Sequence, residues 1–135
     1  MSSANLTHTW TTSVKNDSGT GVLGDVQVIL GSDEKNVKIQ IAAGTTAEVD
    51  CAGLPFAKMV SLFMVSDVAV VVKTNAADAS GGQEIDLAAK KAYGWKNTDP
   101  TANPITANIT KLFITNPGVS VASFYAAFLL NEIVA

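Results

Sequence analysis

Few residues in this chain can do chemistry, and their spacing decides what is open to them. His8 is the only histidine and Cys51 the only cysteine. Nucleophilic catalysis needs a base held against a hydroxyl or thiol. His8 sits in a polar stretch, LTHTW, with no nucleophile motif beside it, and reads as a solvated tail residue. Gly-x-Ser-x-Gly, the Walker loop and the dinucleotide-binding glycine fingerprint are all absent. Zinc or iron would need several histidines or cysteines, so neither a metal nor a cofactor is expected. Cys51, among Val49, Ala52 and Leu54, reads as a buried thiol acting as a small apolar residue. Carboxylates fall in close pairs: Asp33 and Glu34, Glu48 and Asp50, Glu84 and Asp86. Residues two apart on a strand share a face, so such pairs could act on a sugar or hold calcium. No calcium-loop spacing accompanies them, and the solvent face of a half-buried strand is the better reading. No catalytic set emerges. Three rings, Trp10, Tyr93 and Trp95, could stack on a glycan, the last two from one strand face. Against that stands the large area a tryptophan buries, which favours Trp95 in the core and Trp10 as a packing anchor.

The elements that must position these residues are strands. Short valine-rich runs alternate with turn residues, a β pattern. Residues 26–30 and 37–41 read as a hairpin about a polar turn at residues 31–36, with Val37, Ile39 and Ile41 on one face. A second hairpin is expected from residues 59–65 and 68–74 about Ser66-Asp67, and a third from residues 109–115 and 119–131 about Asn116-Pro117-Gly118. Shorter strands are expected at residues 84–89, 91–96 and 45–50, and residues 7–14 could start the sheet. SLFMVSD at residues 61–67 echoes KLFITN at residues 111–116. The last segment also fits a helix, with Val121, Phe124, Tyr125, Phe128, Leu129 and Ile133 on one side, but the preceding turn and the β context favour a strand. As a strand it is apolar on both faces, with Phe124, Phe128 and Leu130 opposed to Tyr125 and Leu129. One face then fills a core and the other meets a partner subunit, a covering loop or an arm.

Eight or nine short strands, with all four prolines between them, predict an all-β antiparallel sandwich of the jelly-roll kind. At 135 residues the chain makes one domain, residues 1–135, in which residues 1–12 read as a flexible arm anchored by Trp10. Charged residues are only 16% of the chain, against about 25% in an ordinary protein. That excludes a disordered chain and a charge-laced coiled coil. The net charge is −3, and every basic residue is a dispersed lysine, so nucleic acid is not an expected partner. No signal-peptide core and no apolar run of about 18 residues is present, which predicts synthesis in a cytoplasm and no membrane partner. The Asn-x-Ser/Thr triplets at Asn5, Asn16 and Asn108 are then chance matches.

The runs KMVSLFMVSDVAVVVKTN, EIDLAAKKAYGW and ITKLFITNPGVSVASFYAAFLL, in that order, resemble small structural proteins of tailed bacteriophages. The resemblance spans residues 26–130 and is closest to jelly-roll cement, or decoration, proteins, which sit outside an icosahedral head and clamp neighbouring major capsid proteins. It implies a non-enzymatic virion protein on the capsid exterior, a homo-oligomer (dimer or trimer) whose other partner is the major capsid protein. That family has no catalytic residues to carry over. Interface candidates are Trp10, Tyr93, Trp95, Phe124, Tyr125, Phe128 and Leu129. A phage surface or tail module binding host glycans through Tyr93 and Trp95 is the alternative.

Overall fold

The computed structural model describes residues 6–15, 21–76 and 82–131. The first five residues of the expected arm, Asn5 among them, and the triplet at Asn16 lie outside them. Ten strands follow in order among the described residues: β1 (Leu6–Lys15), β2 (Gly21–Gly31), β3 (Asp33–Ile41), β4 (Thr46–Leu54), β5 (Met59–Ser66), β6 (Val70–Thr74), β7 (Glu84–Leu87), β8 (Tyr93–Lys96), β9 (Ile109–Thr115) and β10 (Ala122–Leu130). The C-terminal segment is therefore a strand. Eight of the ten build two four-stranded antiparallel sheets, β3-β10-β5-β8 in front and β4-β9-β6-β7 behind. The chain alternates between the sheets from β3 to β6 and again from β7 to β10. That is the jelly-roll winding, two Greek keys rolled into one sandwich.

None of the three expected hairpins forms. β3 pairs with β10 and not with β2. β5 and β6 lie in opposite sheets, as do β9 and β10. Their turns carry hairpin-like residues, yet each carries the chain across the sandwich. The physical reason is burial. Strands that each present an apolar face are better covered by placing successive ones in facing layers.

Period-two alternation sends Val37 and Ile41, Leu62 and Met64, Val70 and Val72, Leu112 and Ile114, and Phe124, Phe128 and Leu130 into one core between the sheets. Fully burying each large side chain contributes roughly 1.5–3 kcal/mol. Cys51 joins this core, 4% exposed. The two echoed segments take matching places in facing sheets: Leu62 and Leu112 are buried, as are Met64 and Ile114, while Phe63 and Phe113 are only half-buried.

The remaining two strands, β1 and β2, form a separate antiparallel ribbon, in register from Leu6 opposite Gly31 to Val14 opposite Leu23. Residues 6–12, expected in a flexible arm, are thus a paired strand. LTHTWTT is rich in β-branched threonine at alternate positions, the pattern of a pleated surface. No helix among the described residues is long and apolar enough to cross a membrane.

Candidate functional site

Two features stand out from the sandwich: the ribbon strapped across the front sheet, and a pair of uncharged loops at one end. The ribbon's inward face carries His8 and Trp10 from β1 with their cross-strand partners Ile29 and Gln27 from β2. Beneath it β5 bulges. Leu129 lies opposite Ser61 and Leu130 opposite Met59, so Val60 is an extra residue. The bulge turns both Val60 and Ser61 away from the core and towards the ribbon, as bulges re-aim side chains. Val60, Leu129 and Ile29 then close into a small second apolar cluster with Trp10 against it. Leu129 is fully buried by the chain's own ribbon, so the second apolar face of β10 is covered in part within one subunit.

A chain of hydrogen bonds fixes the ribbon. The Trp10 indole N–H donates to Ser61 Oγ at 3.0 Å, Ser61 Oγ lies 2.7 Å from His8 Nδ1, and His8 Nε2 lies 2.7 Å from Glu34 Oε2. Serine, histidine and glutamate in this order match the connectivity of a hydrolase triad. The surroundings make it a latch instead. Ser61 is wholly buried, and its oxygen accepts the Trp10 N–H, so the three residues bind the ribbon to the front sheet. His8 is therefore no solvated tail residue. Its partners lie on β5 and β3, far along the sequence, and no local motif announces them.

Trp10 is held on every side. Its ring meets Phe63 edge-on at 6.1 Å, and Phe63 meets Tyr125 at 6.3 Å. Lys96 Nζ stands 5.1 Å from the Trp10 ring centroid and binds Asp99 at 2.7 Å. That hydrogen bond from Lys96 holds the Asp99 carboxyl below its ordinary pKa. Gly94 is required here, because a Cβ at that position would run into the Trp10 ring. Further along, the Thr98 hydroxyl donates to the Gln27 side-chain oxygen.

The interface candidates divide accordingly. Phe124 and Phe128 point between the sheets and fill the core, so they are packing residues and not interface residues. Tyr125 remains partly exposed on the outer face, where it lines a hollow of about 450 Å3 beside β1 and another of about 660 Å3 between β3 and the end of β5. Trp10 is on the outer face, whereas Tyr93 and Trp95 alternate to the opposite side of β8, with Tyr93 against the core. The Trp95 N–H donates to the Thr101 carbonyl. The three rings do not converge on one platform. The carboxylate pairs are exposed at Glu48, Asp50, Glu84 and Asp86, with Glu48 bound to Lys111 at 2.6 Å and Glu84 3.9 Å from Lys73. No metal-binding cluster occurs among the described residues.

The uncharged loops are residues 42–45, between β3 and β4, and residues 116–121, between β9 and β10; Asp67, Lys90 and Lys91 lie in the other two connections of the same end. Asn116 is completely buried and ties the two uncharged loops together. Its side-chain amide donates to the Ile41 and Ser120 carbonyls, and its Oδ1 accepts the Gly118 N–H. Its backbone exchanges hydrogen bonds with Gly44 and Thr45. Gly44 takes a left-handed φ of +72°, which glycine adopts without strain. On this fixed base Val119 stands 97% exposed and Val121 52% exposed. In sequence, residues 116–118 read as a hairpin turn and these loops have no assigned role, although Val119-Ser120-Val121 after Pro-Gly is a visible apolar signal.

No protein-family model matches the chain, and no curated protein matches it. Among solved structures it is similar to a de novo designed double-stranded β-helix determined by solution NMR, at 13% identity and a TM-score of 0.43, over 70% of this chain and 97% of that one.

Proposed function

We propose that this chain is a non-enzymatic structural protein of a phage virion, binding the outside of the head and cementing neighbouring major capsid proteins. The jelly roll alone does not carry the reading, since capsid proteins, lectins and cupins share it. The observation that does is the hydrogen-bonded pair of uncharged loops, residues 42–45 and 116–121, with Val119 and Val121 presented to solvent. A loop immobilised by a buried asparagine and tipped with exposed valines suits docking against a large preformed surface, because little ordering entropy is lost on contact. Many symmetric copies then add small individual affinities into a strong shell. The sequence resemblance to cement proteins supports the same assignment.

The test is occupancy. Purified virions should carry the chain in on the order of hundreds of copies, as a shell component requires. Added to heads lacking it, Val119→Asp together with Val121→Asp should lose occupancy while the free variant melts as the parent does. A handful of copies per particle, or full occupancy of the double variant, would overturn the assignment.

A further inference from the structure

The ribbon meets the sandwich through one residue. β2 ends at Gly31 and β3 begins at Asp33, with Ser32 alone between them. At that point the chain turns a corner. β1 runs from Glu34 on β3, at His8, to Gly94 and Lys96 on β8, at Trp10, so the ribbon crosses the strands beneath it. β3 instead runs along them. The corner is tight: a Cβ on Gly31 would collide with Leu129 and with the Leu130 carbonyl. Ser32 itself is held by its N–H donating to the Leu130 carbonyl at 2.8 Å.

The described side chains that seat the ribbon lie on its inward face, and their apolar cluster is separate from the main core. The ribbon can therefore leave as a unit without disturbing the sandwich. On its outward face, opposite Thr11, Thr9 and Thr7, the side chains of Val26, Val28 and Leu30 are each more than half exposed. If Ser32 straightens, β2 and β3 run on as one long strand and the front sheet is bared. The surface that fits that sheet is already known, because it is the same ribbon: His8 for Ser61 and Glu34, Trp10 for Gly94 and Phe63, Ile29 for Val60 and Leu129.

We propose that two copies exchange ribbons reciprocally, each copy's β1–β2 seated on the front sheet of the other. A short, tightly bent hinge favours such exchange, since the closed corner is the only feature lost on opening. All other contacts are re-made across the two-fold, and the result is an isologous dimer tied by two straps. This self-association is independent of attachment to heads. A variant blocked at Val119 and Val121 still exchanges ribbons, and a non-exchanging variant can still be assayed on particles.

Disulfide trapping on the full chain tests it. Gln27 and Thr98 touch across the ribbon–sandwich contact, so Gln27→Cys with Thr98→Cys, in a Cys51→Ala background, places two thiols there. After refolding at high concentration and oxidation, non-reducing gels should show dimers joined by disulfides, and dilute refolding should give bonds within one chain. Inserting Gly-Gly-Ser after Ser32 relaxes the corner and should lower the dimer fraction about tenfold or more, with the circular dichroism spectrum unchanged. Bonds within one chain at every concentration, or a dimer fraction untouched by the insertion, would overturn the exchange.

Discussion

Ser66 buries a hydroxyl with no hydrogen-bond partner, at the end of β5 and beside Phe124. Such a group lost its water on folding and regained nothing. Ser66→Ala should therefore stabilise the protein by about 1 kcal/mol, read as a higher urea midpoint with an unchanged slope. Ser61 is the opposite case, since its oxygen serves both Trp10 and His8. Ser61→Ala strands two groups under the ribbon, at a cost of about 1–3 kcal/mol. Amide exchange should quicken in β1 and β2 and stay slow in the sandwich strands. Burial raises the Cys51 thiol above its ordinary 9.0 and the Tyr93 phenol above its ordinary 10.0. The folded chain thus keeps both protons to higher pH than the unfolded chain does. Their contribution to stability is whole below pH 9.0 and falls away as the pH climbs through the folded values. Urea midpoints measured upward from neutral pH should stay level and then decline, and Cys51→Ala should delay the onset. The burial of Cys51 was legible from its apolar neighbours. The role of His8 was not, because a latch between residues on three different strands has no local signature.

Strands were the most legible feature, because period two is written residue by residue. β10 shows this best. Its alternation separates Phe124 and Phe128 from Tyr125 and Leu129, and the structure places the first pair in the core and Leu129 under the ribbon. Phe124→Ala should cost about 3–5 kcal/mol. Tyr125→Ala, on the partly exposed outer face, should cost well under half as much. Urea titrations of the two variants decide it; equal losses would mean that Tyr125 is as deeply built in as Phe124. Partners were not legible. Ser66-Asp67 and Asn116-Pro117-Gly118 have the residues of hairpin turns, yet each turn crosses between sheets. Turn chemistry fixes a reversal of direction but not which layer receives the next strand. That choice belongs to the packing of all eight strands together.

In the whole molecule, the front sheet joins the first strand of the sandwich to the last. Asp33 lies opposite Leu130 and Ile41 opposite Ala122, so β3 enters and β10 leaves at one corner. This has a mechanical consequence. A pull between residues 32 and 131 opens the β3–β10 ladder like a zip, loading one rung at a time. A pull between residues 33 and 122 runs along the strands and loads all the rungs together. Optical-tweezer handles at residues 32 and 131 should therefore unfold the sandwich at a clearly lower force than handles at residue 33 and at the exposed residue 121, next to residue 122. Equal forces would mean that some other contact bears the load. The molecule is soft to tension drawn through that corner and stiff to tension along its strands. Any partner that stretches such a protein has to grip it by its loops and faces, and spare the corner where the strand ends meet.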